Sequence, residues 1–517
     1  MRAFGIAFFA QRDPDALALC ESSGRTWTRG ELSSAVNQIA HGLLQSGLRG
    51  GDVIAIVAPN CIEFVAVYLA ATDIGLYVVP VNWHLSPPEL SYILENSGAK
   101  AVVAHNRMAA QLARVLQLSR PPQVEQYISI GEIAGFRRLE DLRERQPEQR
   151  VSDPIQGRVM MFTSATTGRP KTINVPIHGA AEGIARTIEF HVSTGIALED
   201  GNVHLCASML YHAAPLEFVV IALLMGHQVV LTSDRWDPEQ TLALIERYHV
   251  TTTFMVPSMF VRLLKLPRTT RLGYDTTSLK LVSHSAAPCP VEVKRQIIDW
   301  WGPIIWEGYG AAEGQGTFVS STEWLQRPGT VGRPIPGTVI KILDDQGNEL
   351  RHGEVGTIYL SRYTGDRFEY RNDPEKTRAA YRGDVFTVGD VGYMDDAGYL
   401  YLCDRKVDMV ICGGMNVYPA EIEQVLVQHP SVFDCAVFGI PDELMGEALR
   451  AVVQLMPTVV ADNMLTADIY SFMRKYLSAV KMPRQIDYTH ELPRDPNGKL
   501  FKRALRDPFW NGFNRKI

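Results

Sequence analysis

MFTSATTGRPKT, Met161 to Thr172, is the stretch on which the reading of the whole chain turns. Thr163, Ser164, Thr166, Thr167 and Gly168 stand ahead of Lys171, with Pro170 beside it. Hydroxyls, free backbone N–H groups and one ammonium are the chemistry of a loop that holds phosphate. The common nucleotide-loop spacing G-x-x-x-x-G-K-[ST] is absent. Taken alone, the stretch reads equally well as a phosphate-binding loop and as a solvated turn rich in small polar residues.

At 517 residues the chain is long enough for more than one domain, each with a sizeable core. Hydrophobic residues at 46% and charged residues at 21% give an ordinary globular profile. The net charge of −6 offers no basic surface for nucleic acid or an anionic membrane. Seven cysteines are scattered without a CxxC pair, which argues against a disulfide framework or zinc site and for a reducing cytoplasm. The N-terminal apolar patch stops at Ala10, short of a signal-peptide core. The uncharged run Phe218–Ser233, broken by Gly226, His227 and Gln228, is shorter than the roughly 20 residues of a transmembrane helix, so no transmembrane segment is expected.

From about Gly51 to Trp306, short β-branched runs alternate with helical patterns. VIAIVAP, VVPVN, AKAVVAHN, NVHLCAS, HQVVLTS, TTTFMVP and LKLVSH read as buried strands. WDPEQTLALIERYHV reads as a helix with Asp237 as its cap and Pro238 in its first turn. Such alternation predicts α/β layers with largely parallel sheet. After about Val331 the texture changes: TVIKILDDQGNEL, GEVGTIYLSR and YMDDAGYLYLCD predict a smaller β-rich unit. After Asp404, MVICGG, a helix from PAEIEQVLVQHP and a strand near DCAVFGI predict a compact α+β domain.

Three further stretches carry candidate chemistry. IIWEGYGAAEG sets Gly308 and Gly310 around Tyr309, with Glu313 beyond them. Glycine permits close approach of backbone to a ligand, an aromatic ring offers a face to a base, and a carboxylate beside polyphosphate suits Mg²⁺. The bland alternative is a strand-to-helix turn with Glu313 as an exposed early-helix acid. VFTVGDVGYMDDAGYLYLCDRKVDMVICGGMN holds Asp390, Arg405, Gly413 and Gly414; a carboxylate accepts ribose hydroxyls and a guanidinium reaches phosphate or ribose. ELPRDPNGKLFKRALR lifts Lys499 on a Pro-Asn-Gly turn, where a lysine is ordinarily just solvated.

In this order, from GRTWTRGELSSAVNQIAHGL to ELPRDPNGKLFKRALR, the stretches resemble the adenylate-forming superfamily of acyl-CoA synthetases, nonribosomal adenylation domains and luciferase. YHAAPLEF, EGYGAAEGQGTFVSSTEWLQRPGTVGRP and YRNDPEKT look most like bacterial fatty-acyl-CoA synthetases. The resemblance implies an α/β fold: a large N-terminal domain (1–404) of two α/β subdomains and a small β-rich one, then a mobile α+β domain (405–517) pivoting near Arg405–Asp408. It implies ATP, Mg²⁺ and coenzyme A as ligands, and a carboxylate activated as its adenylate before transfer to the thiol.

By motif, the resemblance makes Thr163 to Lys171 the loop over the β- and γ-phosphates. Tyr309 is the residue packed on adenine, Glu313 the Mg²⁺ ligand, and Asp390 with Arg405 the ribose partners; Ala287, Glu307 and Gly308 join the nucleotide site. Lys499 bridges the carboxylate and α-phosphate, where a positioned cation answers charge spreading over oxygen. His212, Glu217, His284, Gly310 and Ala311 line the acyl pocket, His212 near the thioester channel, and Gly413 and Gly414 line that channel. Glu217 and His284 suit a polar or aromatic carboxylate, unless Glu217 faces solvent on an amphipathic helix.

The sequence departs from the family pattern at four places. Ala165, Ala312 and Val388 replace the usual Gly, Thr and Thr, and Val407 replaces the usual Asp or Lys of the pivot. An Ala held at positive φ costs about 1–2 kcal/mol, and a lost hydrogen bond to a charged group costs about 1.5–3 kcal/mol. The charged set Lys171, Glu313, Asp390, Arg405 and Lys499 is intact, which favours a working ligase. Transfer to a carrier-protein thiol, an amine or another nucleophile is the alternative among enzymes. A non-catalytic nucleotide or acyl-AMP binder is the alternative outside them.

Overall fold

The runs VIAIV, VVP and AKAVVAH become the parallel strands Val53–Val57, Tyr77–Pro80 and Ala99–His105, with Ala55 opposite both Val79 and Val102. β-branched side chains pack well on a pleated surface, and a strand covered on both faces is apolar throughout. Every residue of Val53–Val57 is accordingly buried. The computed structural model describes residues 5–118, 121–163, 171–177, 201–232, 236–494 and 500–511. They form two units: one of Met1–Met255, Leu266–Ser283 and Asp366–Arg378, the other of Val256–Lys265, His284–Gly365 and Ala379–Ile517. Among the described residues, no helix is long and apolar enough to cross a membrane.

The first unit holds two parallel sheets. One runs Arg137–Arg138, Gln126–Ile130, Ala99–His105, Val53–Val57, Tyr77–Pro80, Arg158–Val159. In the other, Leu17–Glu21, Gln228–Leu231, Val203–Cys206 and Thr252–Met255 lie side by side and parallel, with Thr26–Thr28 antiparallel at the edge. The connecting helix Pro238–Tyr248 starts as its sequence dictates: the Asp237 carboxylate accepts from Gln240 N–H at 2.8 Å. It stops at His249, which sits in the left-handed region at φ 48°. A small antiparallel sheet of Phe162–Thr163, Lys171–Asn174 and Glu369–Tyr370 lies in the same unit.

The second unit is mostly antiparallel, and its β-rich texture begins earlier than the sequence reading placed it. Ile305–Ala311 folds back on Gly314–Ser320 as a hairpin, pairing Trp306 with Ser320 and Tyr309 with Thr317. Gly308, Gly310, Gly314 and Gly316 disfavour a helix here. A bulge follows Tyr309, and a Cβ on Gly310 would stand 2.8 Å from the Gln315 Cα. The sheet continues through Thr330–Pro334, Leu400–Arg405, Asp390–Met394 and Gly356–Leu360. The C-terminal part is the expected α+β arrangement. The long hairpin Val432–Asp442 with Gly446–Leu455, joined in parallel by Gln485–Thr489, packs with helices Pro419–Leu426 and Asn463–Met473.

Each unit buries charge. In the second, Lys294 is fully buried on the helix Val291–Trp301, donating to Glu307 Oε2 at 2.6 Å with its ammonium 4.8 Å from the Trp324 ring centre. In the first, the helix Ala213–Leu224 is apolar around its circumference except for Glu217. It is therefore not the amphipathic helix that would put Glu217 in solvent. Glu217 is half-buried, and desolvation pushes its carboxyl up to about 7.

Two outcomes follow. Lys294→Met leaves Glu307 buried without its counter-charge and is expected to cost about 3–5 kcal/mol, most of it recovered by adding Glu307→Leu. Denaturant unfolding followed by tryptophan fluorescence checks both variants. For Glu217, the folded chain keeps a proton that the unfolded chain sheds above its ordinary value of 4.5. The cost to stability grows with pH from there to about 7 and stays constant above. Glu217→Gln is thus expected to raise the melting temperature at about pH 8 and leave it unchanged below about pH 4.

Candidate active site

The second unit brings three of the sequence-predicted residues together. Asp390 opens the strand Asp390–Met394 and lies directly across from Arg405, which ends the partner strand Leu400–Arg405. That register sets the Arg405 Nε 3.6 Å from Asp390 Oδ1. The other carboxylate oxygen accepts from the Tyr309 hydroxyl at 2.8 Å. Tyr309 is buried, and desolvation, reinforced by the Asp390 charge, pushes its hydroxyl well above the usual tyrosine range. The phenol therefore stays protonated and donates. A carboxylate fixed on both sides, beside a half-exposed guanidinium, presents acceptor and donor atoms with little freedom to reorganise. Just before it, the Thr387 hydroxyl accepts from Gly389 N–H at 3.0 Å, so a hydroxyl stands one residue ahead of Val388.

Glu313 lies in the turn between the two strands of the Ile305–Ala311 hairpin and is buried. It is neither exposed nor in a helix, so the bland strand-to-helix alternative fails. Its backbone carbonyl accepts from the Arg362 guanidinium. Gly308 also serves the hairpin: a Cβ there would stand 3.2 Å from the Phe318 ring. Ala311 pairs with Gly314 at the hairpin end.

Glu307 is held by Lys294, and His284 Nε2 lies 3.6 Å from the same carboxylate oxygen. Burial raises the Glu307 carboxyl above its usual range against the pull of Lys294. Burial, then the Lys294 ammonium, holds His284 well below its usual value, so the imidazole is neutral. Next to His284, Ala286 occupies the left-handed region at φ 75° and Ala287 is exposed. Strain of about 1–2 kcal/mol at a non-glycine residue is characteristic of functional loops. Lys294 was missed in the sequence, although helical spacing sets it on one face with Ile297 and Ile298.

In the first unit, Thr163 pairs with Lys171 and Phe162 with Thr172, so residues 164–170 connect two neighbouring strands. Ser164, Ala165, Thr166, Thr167 and Gly168 lie outside the described residues, as do Lys499 and the side chains of Thr163 and Lys171. His212 caps the helix Ala213–Leu224 from extended backbone, half-buried, its ring 4.5 Å from that of Tyr211. Tyr211 in turn shares a 3.2 Å hydrogen bond with His84, which stacks on Trp83 at 3.6 Å. Tyr211 thus joins His212 to an aromatic cluster with His84 and Trp83, and the half-buried Glu217 is the one acid of the helix that follows.

Gly413 and Gly414 form the two-residue turn between Val410–Cys412 and Met415–Val417, with φ of 58° and 81°. Positive φ at both positions is the tight-hairpin requirement that glycine meets without strain. Gly413 N–H is bound by Met445 O at 2.9 Å, and a Cβ there would meet the Met445 side chain at 2.6 Å. The segment 404–408 is rich in charge: Asp404 Oδ2 accepts from Ala420 N–H at 2.9 Å, and Arg506 reaches Asp408 at 3.3 Å.

Comparisons with known proteins identify the family. Residues 7–364 match the model of the AMP-binding enzyme family, and residues 421–499 match its C-terminal domain. The long-chain-fatty-acid–CoA ligase FadD13 of Mycobacterium tuberculosis is 30% identical, covering 93% of either chain. The fatty acid–[acyl-carrier-protein] ligase ScoC of Streptomyces coeruleorubidus is also 30% identical, over 99% of this chain and 97% of its own. Among solved structures, the amide bond synthetase McbA from Marinactinospora thermotolerans superposes with a TM-score of 0.81 at 26% identity, over 98% of this chain and 100% of that one. With both family domains matched along its length, the chain belongs to the AMP-binding enzyme family and is an adenylate-forming ligase.

Proposed function

We propose that this ligase joins a carboxylate to coenzyme A in two steps. In the first, a carboxylate oxygen attacks the α-phosphorus of ATP, forming the acyl-adenylate as the bond to pyrophosphate breaks. In the second, the thiol sulfur attacks the acyl carbon, the bond to AMP breaks, and the thiol proton leaves to solvent. The observation that carries the reading is the Tyr309–Asp390–Arg405 cluster. It suits a ribose and its phosphate: Asp390 accepts from hydroxyls, Arg405 donates, and Tyr309 holds the carboxylate still.

The remaining roles rest on motif. Thr163, Ser164, Thr166, Thr167, Gly168 and Lys171 would hold the β- and γ-phosphates, with Glu307, Gly308 and Ala287 framing the nucleotide. Glu313, a buried carboxylate at a tight turn, fits Mg²⁺, which when bound offsets polyphosphate charge. Lys499 would bridge the two anions as they approach. His212, with Glu217, His284, Gly310 and Ala311, would line the acyl side, and Gly413 and Gly414 the thiol route. The chain would divide at 404/405 into a domain for ATP and acyl binding and a mobile one bringing Lys499.

A specific observation favours a second reading of the acceptor: ScoC is named a carrier-protein ligase and McbA an amide bond synthetase. Transfer to a carrier-protein thiol or an amine keeps the first step and changes only the nucleophile. The non-catalytic binder, suggested by Ala165, Ala312 and Val388, predicts nucleotide binding without pyrophosphate release.

The test is carboxylate-dependent pyrophosphate release from ATP, screened over fatty, aryl and amino-aryl acids with and without CoA, the products identified by mass. An acyl-CoA product with AMP is the expected result. An adenylate that CoA never discharges redirects the reading to another acceptor, and silence across the panel favours the binder. In the same assay Tyr309→Phe removes one hydrogen bond to a charged group, about 1.5–3 kcal/mol. It is expected to raise the KM for ATP about tenfold or more, with a smaller change in the KM for the carboxylate.

A further inference from the structure

The inward residues of the strand Ile305–Ala311 are fixed one after another by side chains from outside it. Residues two apart on a strand share a face, so Ile305, Glu307 and Tyr309 point the same way, and all three are buried. Ile305 is held at its backbone: its N–H donates to Ser321 Oγ at 2.9 Å, and that hydroxyl donates to Ile305 O at 2.6 Å. Tyr309 is held at its hydroxyl by Asp390 at 2.8 Å. Glu307, between them, accepts from Lys294 Nζ at 2.6 Å. His284 Nε2 lies 3.6 Å from the same oxygen, but among the described residues neither of its ring nitrogens makes a hydrogen bond. The middle anchor is therefore Lys294.

Lys294 stands in the first turn of the helix Val291–Trp301, its own N–H bound by Pro290 O at 3.0 Å. That helix follows directly on the loop of Ala286, held at φ 75°, and Ala287. The ammonium thus ties the base of that loop to the strand of Tyr309. Trp324, fully buried on the helix Ser321–Gln326 that also supplies Ser321, lies against the ammonium at 4.8 Å. An apolar pair of the same volume would stabilise the core as well or better, since the desolvation of two charges offsets most of their attraction. What the ion pair adds is direction: a hydrogen bond to one oxygen fixes a distance and an angle, where apolar contact leaves freedom to slide.

We propose that Lys294 is a positioning residue for nucleotide binding: by holding Glu307 it sets the strand that presents Tyr309 in register with the loop of Ala286 and Ala287. The inference rests on the nucleotide role given to Tyr309 under the proposed function. Lys294 is fully buried and acts through Glu307 and the strand, not on the substrate.

The experiment is steady-state kinetics on the full-length enzyme, with the KM for ATP and the KM for the carboxylate measured separately, beside denaturant unfolding. The test variant is Lys294→Met with Glu307→Gln, which closely keeps both side-chain volumes and leaves neither charge of the pair. It is expected to unfold cooperatively and to raise the KM for ATP about tenfold, with the KM for the carboxylate within about threefold. Adding Tyr309→Phe is expected to raise the KM for ATP by less than about threefold more, because residues acting through one strand are not additive. An unchanged KM for ATP, equal rises in both KM values, or full additivity with Tyr309→Phe overturns the proposal. A purely structural lysine gives the first or second of these. Should that variant fail to fold, Lys294→Met with Glu307→Leu makes the pair apolar and is read by the same ratio. Tyr309→Phe is also run alone. If it leaves the KM for ATP unchanged, the role of Tyr309 and this inference fall together. If it raises that KM while the Lys294 variant does not, this inference alone falls.

Discussion

The hydrogen bond from Tyr309 to Asp390 joins the two hairpins on which the candidate site is built. Tyr309 comes from the strand Ile305–Ala311 and Asp390 from the pair Asp390–Met394 with Leu400–Arg405. A buried phenol must find an acceptor, and a carboxylate at the end of a strand must find donors. Each answers the other, which fixes the carboxylate plane before a ligand arrives. The strand register then delivers Arg405 to the free side of the same group. The site's electrostatics are thus a consequence of sheet pairing, and a slip of one residue would turn Arg405 to the opposite face.

Buried charge elsewhere follows a common rule with different ends. Lys294 and Glu307 neutralise one another within the second unit, with Trp324 on the ammonium and a neutral His284 nearby. Such a pair adds little net stability over apolar residues, yet removal of one partner is costly, so it specifies geometry. Glu423 and Lys502 repeat the arrangement at 2.8 Å in the C-terminal part.

How much was legible in the sequence depended on whether a residue's role was local. Strands such as Val53–Val57 and the Asp237 cap of Pro238–Tyr248 follow from β-branching and side-chain capping, which nearby residues settle. The pairing of Asp390 with Arg405 was available only as a family likeness, because register across a hairpin depends on the bulge at Val391/Gly392. The hairpin at Gly308–Gly316 was read ambiguously, since glycines near a ligand and glycines crowded by a facing strand look alike; Gly310 is crowded by Gln315. Lys294 and Lys502 were illegible for a plainer reason. A lysine in VEVKRQIIDWW or KLFKRALR reads as a solvated side chain until the tertiary fold sets an acid beside it.

The same distinction orders the chemistry. Activation of a carboxylate by ATP needs anions brought together and a developing charge met by fixed donors, demands that fall on many residues and leave a long trace in sequence and fold. Choice of acceptor needs only a route for a nucleophile to an already activated carbon. Under the proposed function, a turn such as Gly413–Gly414, shaped by positive φ and bound to Met445, would meet that demand with two residues. Relatives named for CoA, carrier-protein and amide products at similar identity to this chain fit that economy. The adenylating machinery is therefore the constrained part of the molecule.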